Sequence, residues 1–121
     1  MITLRRLPDA LTVCQVASMG DFDSDFYFVG RKEEELSLVC RTAETPPNTL
    51  RREDGWRGFR VVGSMDFGLV GVLAGISGAL AAEKIALFAV STFNTDYVLV
   101  KKQDFDRAAR ALATAGYEVL L

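Results

Sequence analysis

Histidine is absent from all 121 residues. Its absence removes Ser-His-Asp and Cys-His catalysis, the commonest general base, and most zinc and haem sites. Cysteine is scarce: Cys14 and Cys40 are the only two, and no CxxC spacing occurs. Two thiols without an imidazole do not complete a four-ligand zinc site. The expectation is therefore no metal and no cofactor, with both thiols serving as small apolar residues on buried strands. A basic excess is also missing. Fourteen Lys and Arg face sixteen Asp and Glu, a net charge of −2, which is the wrong sign for a nucleic-acid face. No apolar run reaches bilayer length. Phe67 to Ala82 is sixteen uncharged residues and carries three glycines after Gly68, short of the roughly 20 a spanning helix needs. The segment Met1-Ile2-Thr3-Leu4-Arg5-Arg6 has no signal-peptide core. With no cysteine framework either, a reducing cytoplasm is the expected location. No P-loop, no GxGxxG and no activated nucleophile are present, so an enzyme is not expected.

What is present is globular composition, half hydrophobic and a quarter charged, enough for one ordinary domain or two very small ones. The second half is the clearer. Gly58 to Val62 reads as a short strand. Leu69 to Ala82 reads as a helix apolar nearly all round, with Asp66 as its N-terminal cap. Its glycines, Gly71, Gly75 and Gly78, share one side and suggest close backbone packing, on the sheet in preference to a partner helix. Ile85 to Ser91 and Tyr97 to Lys101 form a hairpin around Thr92-Phe93-Asn94-Thr95-Asp96. Asp104 caps a second helix, Phe105 to Ala115, whose Phe105, Ala108, Ala109 and Leu112 fall on one face. Gly116 is placed to end it in a left-handed conformation, and Tyr117 to Leu121 is the last strand. This order, βαββαβ, folds into an α+β ferredoxin-like sandwich: a four-stranded antiparallel sheet with both helices on one face.

The first half is β-rich. Leu11 to Ala17 is a strand, Asp21, Asp23 and Asp25 lie in a solvated acidic loop, and Phe26 to Gly30 and Leu36 to Arg41 flank a polar turn. Thr45 to Gly55 reads as a connector. A repeat runs at an offset of 61: Val29 falls on Val90, Glu35 on Asp96, Leu36 on Tyr97, Leu38 on Leu99 and Val39 on Val100. Only nine residues, Ala17 to Asp25, would stand in the first copy for a crossover helix, too few to form one. The expected division is residues 1–55 as an abbreviated unit and 56–121 as a complete one.

Two segments could hold a small ligand. Ser64, Met65, Asp66, Phe67, Gly68 and Leu69 join a strand to a helix start, where unpaired amides and a partial positive charge suit a carboxylate or phosphate. Gly68 permits close approach, and Asp66 could pair with an ammonium group. The turn residues Phe93, Asn94, Thr95 and Asp96 offer hydrogen-bonding side chains. On residue type alone, ordinary capping and turn chemistry account for both segments.

The run Gly58 to Ala74, followed by Ile85 to Val100 with Ser-Thr-Phe-Asn-Thr-Asp-Tyr-Val-Leu-Val at its end, resembles an ACT domain. It is similar in particular to small bacterial ACT proteins related to the cytosolic arginine sensors of animals. Leu11 to Cys14 and Glu35 to Cys40 resemble their abbreviated first unit. The resemblance implies a regulatory protein that binds an amino acid between two ACT-like units, against the loop Ser64 to Leu69 and the turn Phe93 to Asp96. It also makes a homodimer the expected assembly, with neither nucleic acid nor membrane as partner. The alternative is a ligand-free interaction or oligomerisation module.

Overall fold

The computed structural model describes residues 2–62 and 71–121. The strands are β1 (Thr3–Arg6), β2 (Leu11–Val16), β3 (Tyr27–Lys32), β4 (Glu35–Arg41), β5 (Thr49–Val61), β6 (Leu87–Ser91), β7 (Asp96–Lys101) and β8 (Glu118–Leu120). The helices are α1 (Val72–Ala82), between β5 and β6, and α2 (Phe105–Thr114), between β7 and β8. The chain divides into two compact units, Met1–Pro8 with Arg57–Leu121, and Asp9–Trp56. The long strand β5 contributes its first residues to the smaller unit and its last to the larger.

In the larger unit the strand order is β6-β7-β5-β1-β8. Phe59 and Val61 of β5 and Val98 and Val100 of β7 recur at every second position, so each pair points to one face. They join Leu4, Ile76 and Leu80 of α1, and Phe105, Ala108 and Leu112 of α2 in a single buried cluster. Both helices therefore cover the same face of the sheet. This is the α+β ferredoxin-like architecture, and α2 forms where the i, i+3, i+4, i+7 apolar spacing requires. Gly116 ends it at φ 105°, as a left-handed position favouring glycine should.

Three details differ from the sequence reading. The sheet is not the simple four-stranded antiparallel one, because β1 lies between β5 and β8. It is antiparallel to the first and parallel to the second, with Leu4 opposite both Val61 and Val119. Four residues with a single fully buried position carry too little pattern to be read as a strand. The strand ending at Val61 begins not at Gly58 but at Thr49, so the expected connector is largely strand. Its run Arg51-Arg52-Glu53-Asp54 is polar on both faces, which an edge position tolerates. Asp104 does not cap α2 with its side chain; it receives the Arg107 guanidinium at 3.0 Å instead.

In the smaller unit the order is β3-β4-β2-β5. Cys14, Val16, Leu36, Leu38 and Cys40 form its core, and the helix-free stretch after β2 covers them with Met19 and Phe22. Arg41 draws together Asp9, Asp25 and Glu44 at 3.0, 2.6 and 3.3 Å. Its guanidinium holds the Asp25 carboxyl below the usual carboxylate range. Asp54 is likewise held down, first by the Thr12 hydroxyl and then by Arg52. The hairpin recurs in both units, but its turns differ. Lys32 pairs with Glu35 across two residues, whereas Ser91 pairs with Asp96 across four. The offset of 61 therefore holds for the returning strands and not for the leading ones.

Candidate functional site

β5 delivers the chain to Val61, and α1 resumes it at Val72. Ser64, Met65, Asp66, Phe67, Gly68 and Leu69 lie outside the described residues, as does any capping by Asp66. The start of α1 is described and falls at Val72 rather than Leu69. Gly71 precedes it at φ 84° with no side-chain cap, a conformation glycine adopts without steric strain. The Gly75 N–H donates to the Gly71 carbonyl at 2.8 Å and closes the first turn. The amides of Val72, Leu73 and Ala74 come before that bond and, among the described residues, have no intrahelical acceptor. Apolar character all round the helix hid this boundary from the sequence.

The turn between β6 and β7 is held by its own threonines. The Thr92 N–H and hydroxyl both donate to the Thr95 carbonyl, at 2.8 and 2.9 Å. The Thr95 N–H returns a bond to the Thr92 hydroxyl at 3.2 Å. The Thr95 hydroxyl, on a residue only 5% exposed, donates to the Val61 carbonyl at 2.7 Å. That bond ties the turn to the last residue of β5, two positions before Gly63. It therefore links the turn to the strand that leads into the other candidate segment. Sequence reasoning missed Thr92 as the organiser of the turn, although the Thr-x-x-Thr spacing is its signature.

The four candidate turn residues separate by exposure. Thr95 and Asp96 are buried, Asp96 being 8% exposed. Phe93 is 81% exposed, and Asn94 is exposed beside it. Thr95 and Asp96 are thus drawn into the protein, while Phe93 and Asn94 face solvent. An open groove of about 350 Å³ lies elsewhere, at the C-terminal end of α1, lined by Ala79, Ala82, Arg107, Arg110 and Ala111 among others. It shares no residue with this turn.

Among the described residues no group of acids and cysteines is arranged to hold a metal ion, and no helix is long and apolar enough to cross a membrane. Burial raises the Cys14 and Cys40 thiols above their ordinary value, which disfavours the reactive thiolate.

A family model described as the ACT domain matches residues 51–114, more than half of the chain. The chain belongs to the ACT domain family. The matched span takes in α1, the β6–β7 hairpin and α2 of this ACT chain. The structure is similar to a crystal structure of an Agobacterium tumefaciens protein, with 29% identity, 99% of this chain and 92% of that one covered, and a TM-score of 0.88. It is also similar to the ligand-free regulatory subunit of aspartate kinase from Thermus thermophilus, at 10% identity, 93% and 96% coverage and a TM-score of 0.66. Aspartate kinase from Clostridium acetobutylicum gives 16% identity and a TM-score of 0.67, with 94% of this chain covering 34% of that one. At the two lower identities the likeness is one of fold. No curated protein matches the chain by sequence.

Proposed function

We propose that this ACT protein is a non-catalytic regulator that binds an amino acid at the start of α1 and the Thr92–Asp96 turn. The observation that carries the reading is the Thr95 hydroxyl bond to the Val61 carbonyl, which joins the turn to the strand that feeds the helix start. The effector's carboxylate is taken by amides at or just before the first turn of α1, where the helix field favours an anion. Its ammonium is taken by Asp96, with Asp66 as the second candidate acid. Phe93 and Asn94 complete the turn side of the site, and Ser64 to Leu69 supply the loop side. The smaller unit, which repeats the hairpin beside two further strands, is the abbreviated first ACT-like unit. The protein acts in the cytoplasm as a homodimer, and occupancy is passed to a partner or through the assembly.

A thermal-shift screen against the twenty amino acids, keto acids and nucleotides tests the reading. A ligand at 100 times its Kd stabilises by about 2.7 kcal/mol, several degrees of melting shift for a chain of this size. Arginine belongs in the first plate because of the sensor resemblance. One selective amino-acid hit, reduced by Asp96→Asn, is the expected result. A flat screen on well-folded protein replaces the regulator with the interaction module.

A further inference from the structure

The open groove of about 350 Å³ at the C-terminal end of α1 is bounded by both helices of the larger unit. Its apolar floor is alanine: Ala79 and Ala82 from α1, Ala111 and Ala115 from the α2 side. Methyl groups on both sides are what leave the space open. The volume stands near the lower end of small-molecule sites, which begin at roughly 300 Å³.

Three charged side chains line the same groove. Arg107 is committed within the fold. Its guanidinium donates to the Glu83 carbonyl and, at 3.0 Å, to the Asp104 carboxylate. Glu83 and Arg110 are not committed. Among the described residues, neither the Glu83 carboxylate nor the Arg110 guanidinium has an ion pair or a hydrogen bond, although these opposite charges line one groove. Arg107 marks the Glu83 end of the groove, and Arg110 stands three residues further on α2, about 4.5 Å along the helix axis. Glu83 is also the C-cap of α1, where the unsatisfied carbonyls of the last turn favour a cation.

We propose that this groove is a second ligand site, for a free amino acid with a short aliphatic side chain. The ammonium is taken at Glu83, by its carboxylate and the field of the α1 C-terminus. The carboxylate is taken by Arg110, whose planar fork donates two parallel hydrogen bonds. The side chain lies on the alanine floor. A zwitterion fits better than an anion or a cation alone, because either of those leaves one of the two protein charges unmatched. The groove shares no residue with the Thr92–Asp96 turn or the start of α1, so the inference stands apart from the proposed effector site.

An amide NMR titration of the full-length protein with L-valine, isovalerate and isobutylamine tests it. The last two are valine without its ammonium and valine without its carboxylate. Valine should move the signals of residues 79–83 and 107–115, and each analogue should bind about tenfold more weakly or worse. Glu83→Gln and Arg110→Gln change exposed side chains and should each weaken valine by about the same factor. Ala82→Leu keeps both charges but fills the floor, and should abolish the response. No movement at 79–83 and 107–115 in millimolar valine overturns the site. Movement confined to residues 92–96 belongs to the turn and also overturns it. Equal binding of valine and isovalerate overturns the zwitterion assignment, and a valine response that survives in both Glu83→Gln and Arg110→Gln overturns the assigned partners. A flat turn with a responding groove leaves this inference standing while the effector reading fails.

Discussion

Cys14 and Cys40 show how far a single residue type can be read in advance. Their scarcity, and the absence of histidine, already argue against a metal role, and apolar neighbours place them on strands. The structure puts them on β2 and β4 in the core of the smaller unit, both as free thiols. Burial raises both above the ordinary value of 9.0. The consequence for stability has a definite sign. Below the unfolded value both states keep their thiol protons. Above it the unfolded chain releases them while the folded chain retains them, so stability falls as pH rises through the folded values. Denaturant unfolding followed upward in pH, from about one unit below the ordinary thiol value to about one above it, should show this alkaline loss in wild type. A Cys14→Ala/Cys40→Ala variant should show a shallower one. Identical slopes would mean that the thiols titrate alike in both states. The expected capping by Asp104 fails at the same scale, because Arg107 three residues later competes for its carboxylate and sequence spacing cannot rank the two partners.

At the scale of elements, α2 and α1 are opposite cases. In α2 the apolar residues mark one face, so its extent and its buried side are legible to within a residue. In α1 nearly every residue is apolar, and periodicity assigns no face. Its glycines suggest a side laid on the sheet, yet Ile76 and Leu80 face the core while Gly75 and Gly78 are exposed. Side-chain volume decides this: branched residues bury more apolar area than glycine, so they take the sheet side. Gly78 is thus an exposed helical glycine with open space around its Cα and no positive φ. Gly78→Ala should raise stability by about 0.5–1 kcal/mol, seen as a higher melting temperature with ligand affinity unchanged. A loss of stability would mean that this helix face is covered by something other than solvent.

For the whole molecule, the strongest test is of the strand that pattern reading missed. Leu4 is 1% exposed and packs in the larger unit's core, although it stands at the opposite end of the chain from β8. Leu4→Ala should cost about 2–5 kcal/mol, the range for emptying a buried leucine site, measured by denaturant unfolding. A cost under about 1 kcal/mol, well below that range, would mean that β1 is peripheral. The alternation of strands and helices, the βαββαβ path and the turn that carries Thr95 and Asp96 are all written in local sequence. They follow from periodicity and turn chemistry, which act between residues near in the chain. The insertion of β1 between β5 and β8 and the bond from Thr95 to Val61 exist only in the folded chain. Each joins residues more than thirty positions apart, and such pairs are selected by packing rather than by local preference.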